Sequence, residues 1–224
     1  MPAIPTTAPD LLGAESGDAA RLIGNPLQPL EITVSARLAT GRIDPRDIQR
    51  EWAKVASLIR RDGLHPLFLT RGLYRMAALT GATELEFATY SATADLKFTC
   101  PDPVAYGEER TLTVPSEGSV SFHVNGTYPA KPTVKAPGAV RGASNVWGLR
   151  LDDADFLRVE IATGSGWSNR IEADCQARTC SVNGAATLPT PESDWLELEP
   201  GEHVLSNDQG SGSCTVTYIE RWLG

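Results

Sequence analysis

Short runs in which apolar and polar residues alternate recur at roughly ten-residue spacing from Leu30 to the end of the chain. A period of two sends successive side chains to opposite faces, so each run asks for a sheet with one buried face. Leu30, Ile32, Val34, Ala36 and Leu38 alternate with Glu31, Thr33, Ser35 and Arg37. Further strands are predicted at Leu67 to Thr70, Tyr74 to Leu79, Leu85 to Tyr90, Asp95 to Cys100, Thr111 to Val114 and Ser119 to Val124, with Asn125-Gly126 closing the last as a turn. Leu157, Val159 and Ile161 form another set, followed by Ile171, Ala173 and Cys175, by Cys180 and Val182 ahead of Asn183-Gly184, and by Cys214, Val216 and Tyr218. Many short strands so spaced predict sandwiches.

One segment breaks this rhythm. Asp44 suits a helix N-cap, Pro45 the first helical position, and Asp47 the positive end of the dipole. Ile48, Trp52, Val55, Ala56 and Ile59 then share one face, and Asp62-Gly63 ends the run. The predicted helix covers 45–61, with Trp52 anchoring it to a sheet. Arg46, Arg50 and Lys54 follow one another at spacing four on another side, and Asp47 and Glu51 can compensate them at spacing three. The stripe reads either as a solvated face or as an interface with an acidic partner. Residues 1–28, rich in Pro, Gly, Ala and Thr, read as an irregular arm. Tyr128 to Pro132 reads as a stiff connector. The expected fold is mostly β with one α-helix: an α+β unit over 1–107 and a β-sandwich over 108–224.

Charge is uneven along the chain. Residues 37–75 carry nine basic and four acidic side chains, whereas 151–224 carry four basic and thirteen acidic ones. An acidic body disfavours sequence-specific nucleic-acid binding. No apolar run approaches the length of a membrane span, and no secretory signal is visible at the start.

The residues that could carry chemistry are sparse. Cys100, Cys175, Cys180 and Cys214 each fall in phase with the apolar residues of their strands and read as buried thiols. Cys175 and Cys180 flank a four-residue turn, which leaves open whether they pair. No Cys-x-x-Cys occurs, so a metal site is not expected. Asp152-Asp153-Ala154-Asp155 is half of a calcium loop without its later Gly and Glu. Gly164-Ser165-Gly166 lies among strands rather than at a nucleophile elbow. No cofactor and no catalytic residue is predicted, and the chain is not expected to be an enzyme. Trp147, Trp167, Trp195 and Trp222 read either as core or as rings that stack on sugars.

The string Phe98-Thr99-Cys100-Pro101-Asp102-Pro103-Val104-Ala105-Tyr106-Gly107 closely resembles the end of the N-terminal domain in the distal tail protein family of long-tailed bacteriophages and prophages. Glu31 to Val34, Asp44 to Gly63 and the meander Leu73 to Tyr90 fit that family in order, as do Gly126 to Pro132, the hairpin with Asp174 and Asn183-Gly184, Trp195 to His203 and the final Trp222. Two departures stand out: His203 replaces the family's usual Asn, and residues 1–28 are shorter than the usual start, which implies a truncated chain or a reduced belt.

The resemblance implies a structural virion protein, made in the host bacterial cytoplasm and placed at the tail tip. Six copies would form a ring, with N-terminal domains lining the DNA channel and galectin-like C-terminal sandwiches pointing outward. Expected partners are the tail tube protein, the tail-hub protein, and receptor-binding or baseplate proteins. The alternative is a carbohydrate-binding sandwich for host cell-surface glycans. Phe98, Cys100, Pro101, Asp102, Pro103, Tyr106 and Gly107 are expected to be structural, with Pro101 and Pro103 stopping a strand and Asp102 capping a turn.

Overall fold

A computed structural model describes residues 27–39, 45–59, 62–84, 86–88, 91–138, 145–161 and 169–223. The fold is mostly antiparallel β with one short helix. In chain order the elements are β1 (Leu30–Ala39), α1 (Pro45–Ile59), β2 (His65–Thr70), β3 (Leu73–Ala82), β4 (Glu86–Ala88), β5 (Ser91–Cys100), β6 (Ala105–Val114), β7 (Ser119–Val124) and β8 (Thr133–Gly138). There follow β9 (Val146–Leu151), β10 (Asp155–Glu160), β11 (Asn169–Asp174), β12 (Thr179–Val182), β13 (Ala185–Thr187), β14 (Gly201–Gln209) and β15 (Cys214–Trp222).

The strands make two sheets. One runs β1-β5-β3-β6-β15-β8-β11-β12-β13, with β2 added to β3 and β4 added to β5. The other runs β10-β9-β14-β7. The largest buried cluster fills the space between the second sheet and the β6-to-β12 part of the first. Trp147, Leu149, Leu157 and Leu205 come from the small sheet, and Val114, Val134, Ile171 and Val216 from the large one. Fully burying such side chains contributes about 1.5–3 kcal/mol each.

The N-terminal strands are packed differently. Leu30, Ile32, Val34, Ala36 and Leu38 all face one way, as their alternation predicts, yet each is only half-buried. The same holds for Trp52, Val55 and Ala56 on α1. Trp52 and Ala56 line a cavity of about 330 Å³ together with Leu79, Thr80, Gly81 and Ala82 of β3 and Leu96 of β5. The helix thus lies over the sheet, with Trp52 facing it and space left between. Cys100, at the end of β5, is wholly buried, and burial pushes its thiol pKa up while Arg75 pulls it down.

Several expectations need correcting. β6 begins at Ala105, well before the predicted Thr111, because β15 supplies a ladder partner as far as Ala105↔Trp222 while Glu108, Glu109 and Arg110 stay exposed. Three-residue β4 replaces the longer run expected from Leu85 to Tyr90, of which Leu85, Thr89 and Tyr90 lie outside the described residues. β8, β9, β13 and β14 carry no strand in the sequence reading. Pro137 and Gly148 interrupt two of their patterns, yet both sit in ladders, opposite Arg170 and Arg158. Asn125-Gly126 does not close a hairpin. Gly126 instead bridges to Arg221. Cys175 lies in the 175–178 turn, not opposite Cys180, whose ladder partner is Ala173, and both thiols are free.

Asn183-Gly184 does form a two-residue hairpin, with φ of 55° and 81° and the Val182↔Ala185 pair closing it. Asp152 and Asp153 also take positive φ, 49° and 59°, in the tight turn between β9 and β10. The predicted Asp44 cap, residues 60–61 of the predicted helix, residues 1–26 of the arm, Gly164-Ser165-Gly166 and Trp167 lie outside the described residues. So do the side chains of Arg46, Ile48 and Ile59.

Cys100 has no exposed surface, so a guanidinium placed there by Cys100→Arg is buried without a carboxylate partner. A loss of about 3–5 kcal/mol is expected. A variant that melts with the wild type refutes the packing described for β5.

Candidate joint around Arg221

Three segments distant in sequence meet at one cation. β5 ends at Cys100, and β6 starts at Ala105. Between them Pro101 and Pro103 cannot donate to a ladder, and the Asp102 carboxylate turns the chain by accepting a bond from the Val104 N–H at 3.0 Å. The other Asp102 oxygen accepts from the Tyr106 hydroxyl at 2.8 Å and from Arg221 Nη2 at 3.3 Å. The Pro103 carbonyl accepts from Arg75 Nε at 3.0 Å, which ties β3 to the same turn. Phe98 sits further back on β5, paired with Ile32 and Leu79.

Arg221 belongs to β15 and is 9% exposed. Its Nη1 donates to the Pro129 carbonyl at 3.2 Å. Its guanidinium lies 4.9 Å from the Tyr128 ring centroid and 5.6 Å from that of Tyr106, within the range of cation–π attraction. Its main-chain carbonyl accepts from the Thr127 and Tyr128 N–H groups at 3.0 and 3.1 Å. Two glycines make this approach possible. Gly126 has φ +118°, and a Cβ there would stand 2.2 Å from the Arg221 oxygen. A Cβ on Gly107 would stand 3.0 Å from Trp222 Nε1.

The surroundings extend the same logic. Tyr74 stacks on Tyr106 with centroids 5.5 Å apart. Burial and the bond to Asp102 raise the Tyr106 phenol pKa, and Arg221 opposes them. Glu220, 5% exposed, accepts from Arg110 Nε at 3.1 Å and from Asn125 Nδ2 at 2.8 Å. Leu223 N donates to Thr127 Oγ1 at 2.8 Å. This chemistry holds chain segments together: the carboxylate accepts from the phenol and from the guanidinium, whose other Nη bonds the Pro129 carbonyl, while Arg221 Nε is buried with no hydrogen-bond partner among the described residues. Sequence reasoning missed Arg221, Glu220 and Arg75. A buried arginine leaves no periodic signal, although its position beside the terminal Trp222 could have marked it.

The basic stripe lies elsewhere. Arg50 and Lys54 are exposed on α1, and Lys54 pairs with Glu51 at 2.6 Å. The tryptophans divide. Trp147 is fully buried, Trp195 packs against the sandwich core, and Trp222 is half-buried at the joint. Asp152, from the acidic turn, accepts from Val204 N at 2.7 Å and faces His203 Nδ1 at 2.5 Å, while His203 Nε2 faces the Glu199 carbonyl at 2.6 Å. Acceptors on both ring nitrogens favour the doubly protonated imidazole.

With this geometry the chain can be set beside known proteins. Residues 125–222 match the family described as siphovirus-type tail component, C-terminal domain. The distal tail protein of Bacillus phage SPP1 is 26% identical over 134 residues, 57% of this chain. The match spans 50%, half, of that relative's length. The crystal structure of SPP1 Dit, described as a paradigm of the hub adsorption apparatus in phages infecting Gram-positive bacteria, superposes with a TM-score of 0.69. The identity is 20%, and 95% of this chain and 86% of that one are covered. The resemblance to phage distal tail proteins read from the motif therefore stands, and the shared fold extends well before residue 125.

Two predictions follow from these contacts. Arg221→Ala strips Asp102 of its cation and removes the side-chain contacts to the Pro129 carbonyl and the Tyr128 ring, while the main-chain bonds to 127 and 128 remain. A stability loss of roughly 3 kcal/mol is expected, and Asp102→Asn, at a half-buried site, should cost about 1 kcal/mol. Denaturant melts of the singles and the double should show the two losses failing to add.

The second concerns pH. Burial alone would lower the pKa of His203, but Asp152 and the Glu199 carbonyl outweigh it and raise the pKa above its ordinary 6.5. For a raised histidine, the stabilisation is present below the unfolded pKa and is lost as pH climbs through the folded one. Melting temperature should fall as pH rises from about 6 to 8, and His203→Asn should flatten that slope. A wild-type melt that is level across the window refutes the charged ring.

Proposed function

We propose that this chain is a structural protein of a phage tail tip, a distal tail protein whose copies form a six-membered ring joining the tail tube to the receptor-binding apparatus. The reading rests on one observation above the rest: the segments that resemble the family, from Cys100 to Gly107 and from Gly126 to Pro129, close on the same buried Arg221. A fold spent on a fixed joint suits a part that transmits position rather than turns over a substrate. The two units would be 1–107, forming the ring around the DNA channel, and 108–224, a galectin-like sandwich directed outward. Cyclic closure fits such a part, because one patch repeated around an axis gives equal contacts at every subunit.

The partners would be the tail tube protein, the tail-hub protein and receptor-binding or baseplate proteins, with the assembled protein in the virion tail tip after synthesis in the host cytoplasm. Arg46, Arg50 and Lys54 are candidates for one of these interfaces. Glycan binding by the sandwich is the weaker reading, since Trp147 is inside the core and Trp195 packs against it.

The test is the mass of the purified full chain by light scattering after gel filtration, with negative-stain images of the peak. Six subunits and a ring with a central hole are expected. A monomer that stays monomeric when concentrated and mixed with its tail-hub protein overturns the ring.

A further inference from the structure

The chain holds two Val-Asn-Gly runs, Val124 to Gly126 and Val182 to Gly184, and both asparagines are exposed. Such a pair carries a chemistry of its own. The main-chain nitrogen after an asparagine can attack the side-chain carbonyl carbon, and a glycine leaves that approach uncrowded.

The fold treats the two asparagines differently. At 183 the side-chain amide is held at both ends: Oδ1 accepts from Arg170 N at 2.8 Å, and Nδ2 donates to Asn169 Oδ1 at 3.1 Å. The Asn183 N–H is held as well, by the Arg170 carbonyl at 2.7 Å. Turning this amide toward Gly184 breaks both side-chain bonds inside a tight hairpin. At 125 the amide has a single bond among the described residues, from Nδ2 to Glu220 Oε1 at 2.8 Å. The Gly126 N–H meets no acceptor among the described residues, because the bonds to the Arg221 carbonyl come from Thr127 and Tyr128. The attacking nitrogen is therefore free, and the carbon that it attacks is tethered once.

We propose that Asn125 is a site of self-modification, at which the Gly126 nitrogen displaces the side-chain amide and converts the residue to aspartate and isoaspartate. The N–Cγ bond forms, the Cγ–Nδ2 bond breaks, and Nδ2 leaves as ammonia with the proton that Gly126 gives up. Water then opens the resulting five-membered imide at either carbonyl, and water is the only co-reactant. The site lies on the joint around Arg221, and its product changes that joint. Glu220, 5% exposed, loses the Asn125 donor, keeps Arg110, and gains a like charge beside it. Isoaspartate also lengthens the main chain just ahead of residues 127 and 128, whose N–H groups hold the Arg221 carbonyl. Conversion therefore loosens β15 from the 126–129 segment as the protein ages.

The test incubates the purified full chain in mildly alkaline buffer, folded and in denaturant. Mass spectrometry follows the peptides that span 125–126 and 183–184. In denaturant both should exchange NH for O at similar rates, because only the shared Val-Asn-Gly sequence remains. In the folded chain Asn125 should convert about tenfold or more faster than Asn183, since each further hydrogen bond to be broken slows the step by roughly that factor. Chromatography should resolve two products of equal mass. A folded chain whose Asn125 stays intact while the denatured chain converts, or converts no faster than Asn183, overturns the site. Asn125→Asp, which stands for one product, should unfold at lower denaturant than the wild type. An equal midpoint overturns the loosening of the joint.

Discussion

The charge of Arg221 is nearly out of water, and the path of the chain around it follows from that. A guanidinium cannot be deprotonated, so burying it requires a carboxylate, hydrogen-bond acceptors and polarisable neighbours in fixed places. Asp102, the Pro129 carbonyl and the rings of Tyr106 and Tyr128 supply them. These providers come from three stretches of chain: the turn after β5, the start of β6 and the segment after β7. The last strand is therefore held by the turn and by the 126–129 segment together. The glycines at 107 and 126 follow from the same demand, because a side chain at either would occupy space taken by β15.

The two halves of the molecule draw their stability from different sources. The C-terminal sandwich has a closed interior, with Trp147, Leu149, Leu157, Ile171 and Leu205 fully buried between two sheets. The N-terminal strands have an apolar face that the helix covers only in part. The ladder between them runs through Tyr74↔Tyr106, and Arg75 adds a bond to the Pro103 carbonyl. The tightly packed half thus holds the less packed half through a polar joint. A polar joint has fixed directions, whereas apolar contact alone would let one half slide over the other.

Much of this was legible beforehand, and the rest was hidden for identifiable reasons. The alternation from Leu30 to Leu38, the helix from Pro45 and the Asn183-Gly184 turn are local signals, and the structure realises them as written. The four cysteines were read as buried from their phase, and they are. β8 and β9 were missed because Pro137 and Gly148 look like breakers, while β11 keeps Pro137 in register and β10 and β14 flank Gly148. At the joint, the Cys-Pro-Asp-Pro string was visible as a motif, but its partner was not. Arg221 lies 119 residues from Asp102, and nothing in a sequence of that separation says which of twenty basic residues the carboxylate will meet.

His203 shows how a single substitution can be read once its surroundings are known. The resemblance to distal tail proteins implies asparagine at this turn. An amide has both a donor and acceptors and carries no charge. Here the position faces two acceptors, the Asp152 carboxylate and the Glu199 carbonyl. An asparagine could satisfy both through its one NH₂ group, but without charge. A protonated imidazole satisfies both and adds attraction to Asp152, whose own pKa is lowered: burial works against ionisation, and the bonds from His203 and Val204 N outweigh it. Phe122 lies against the ring with centroids 5.8 Å apart, so the cation is sheltered on that side. The substitution therefore exchanges a turn indifferent to pH for one whose strength depends on it, at the place where β14 meets the hairpin of β9 and β10.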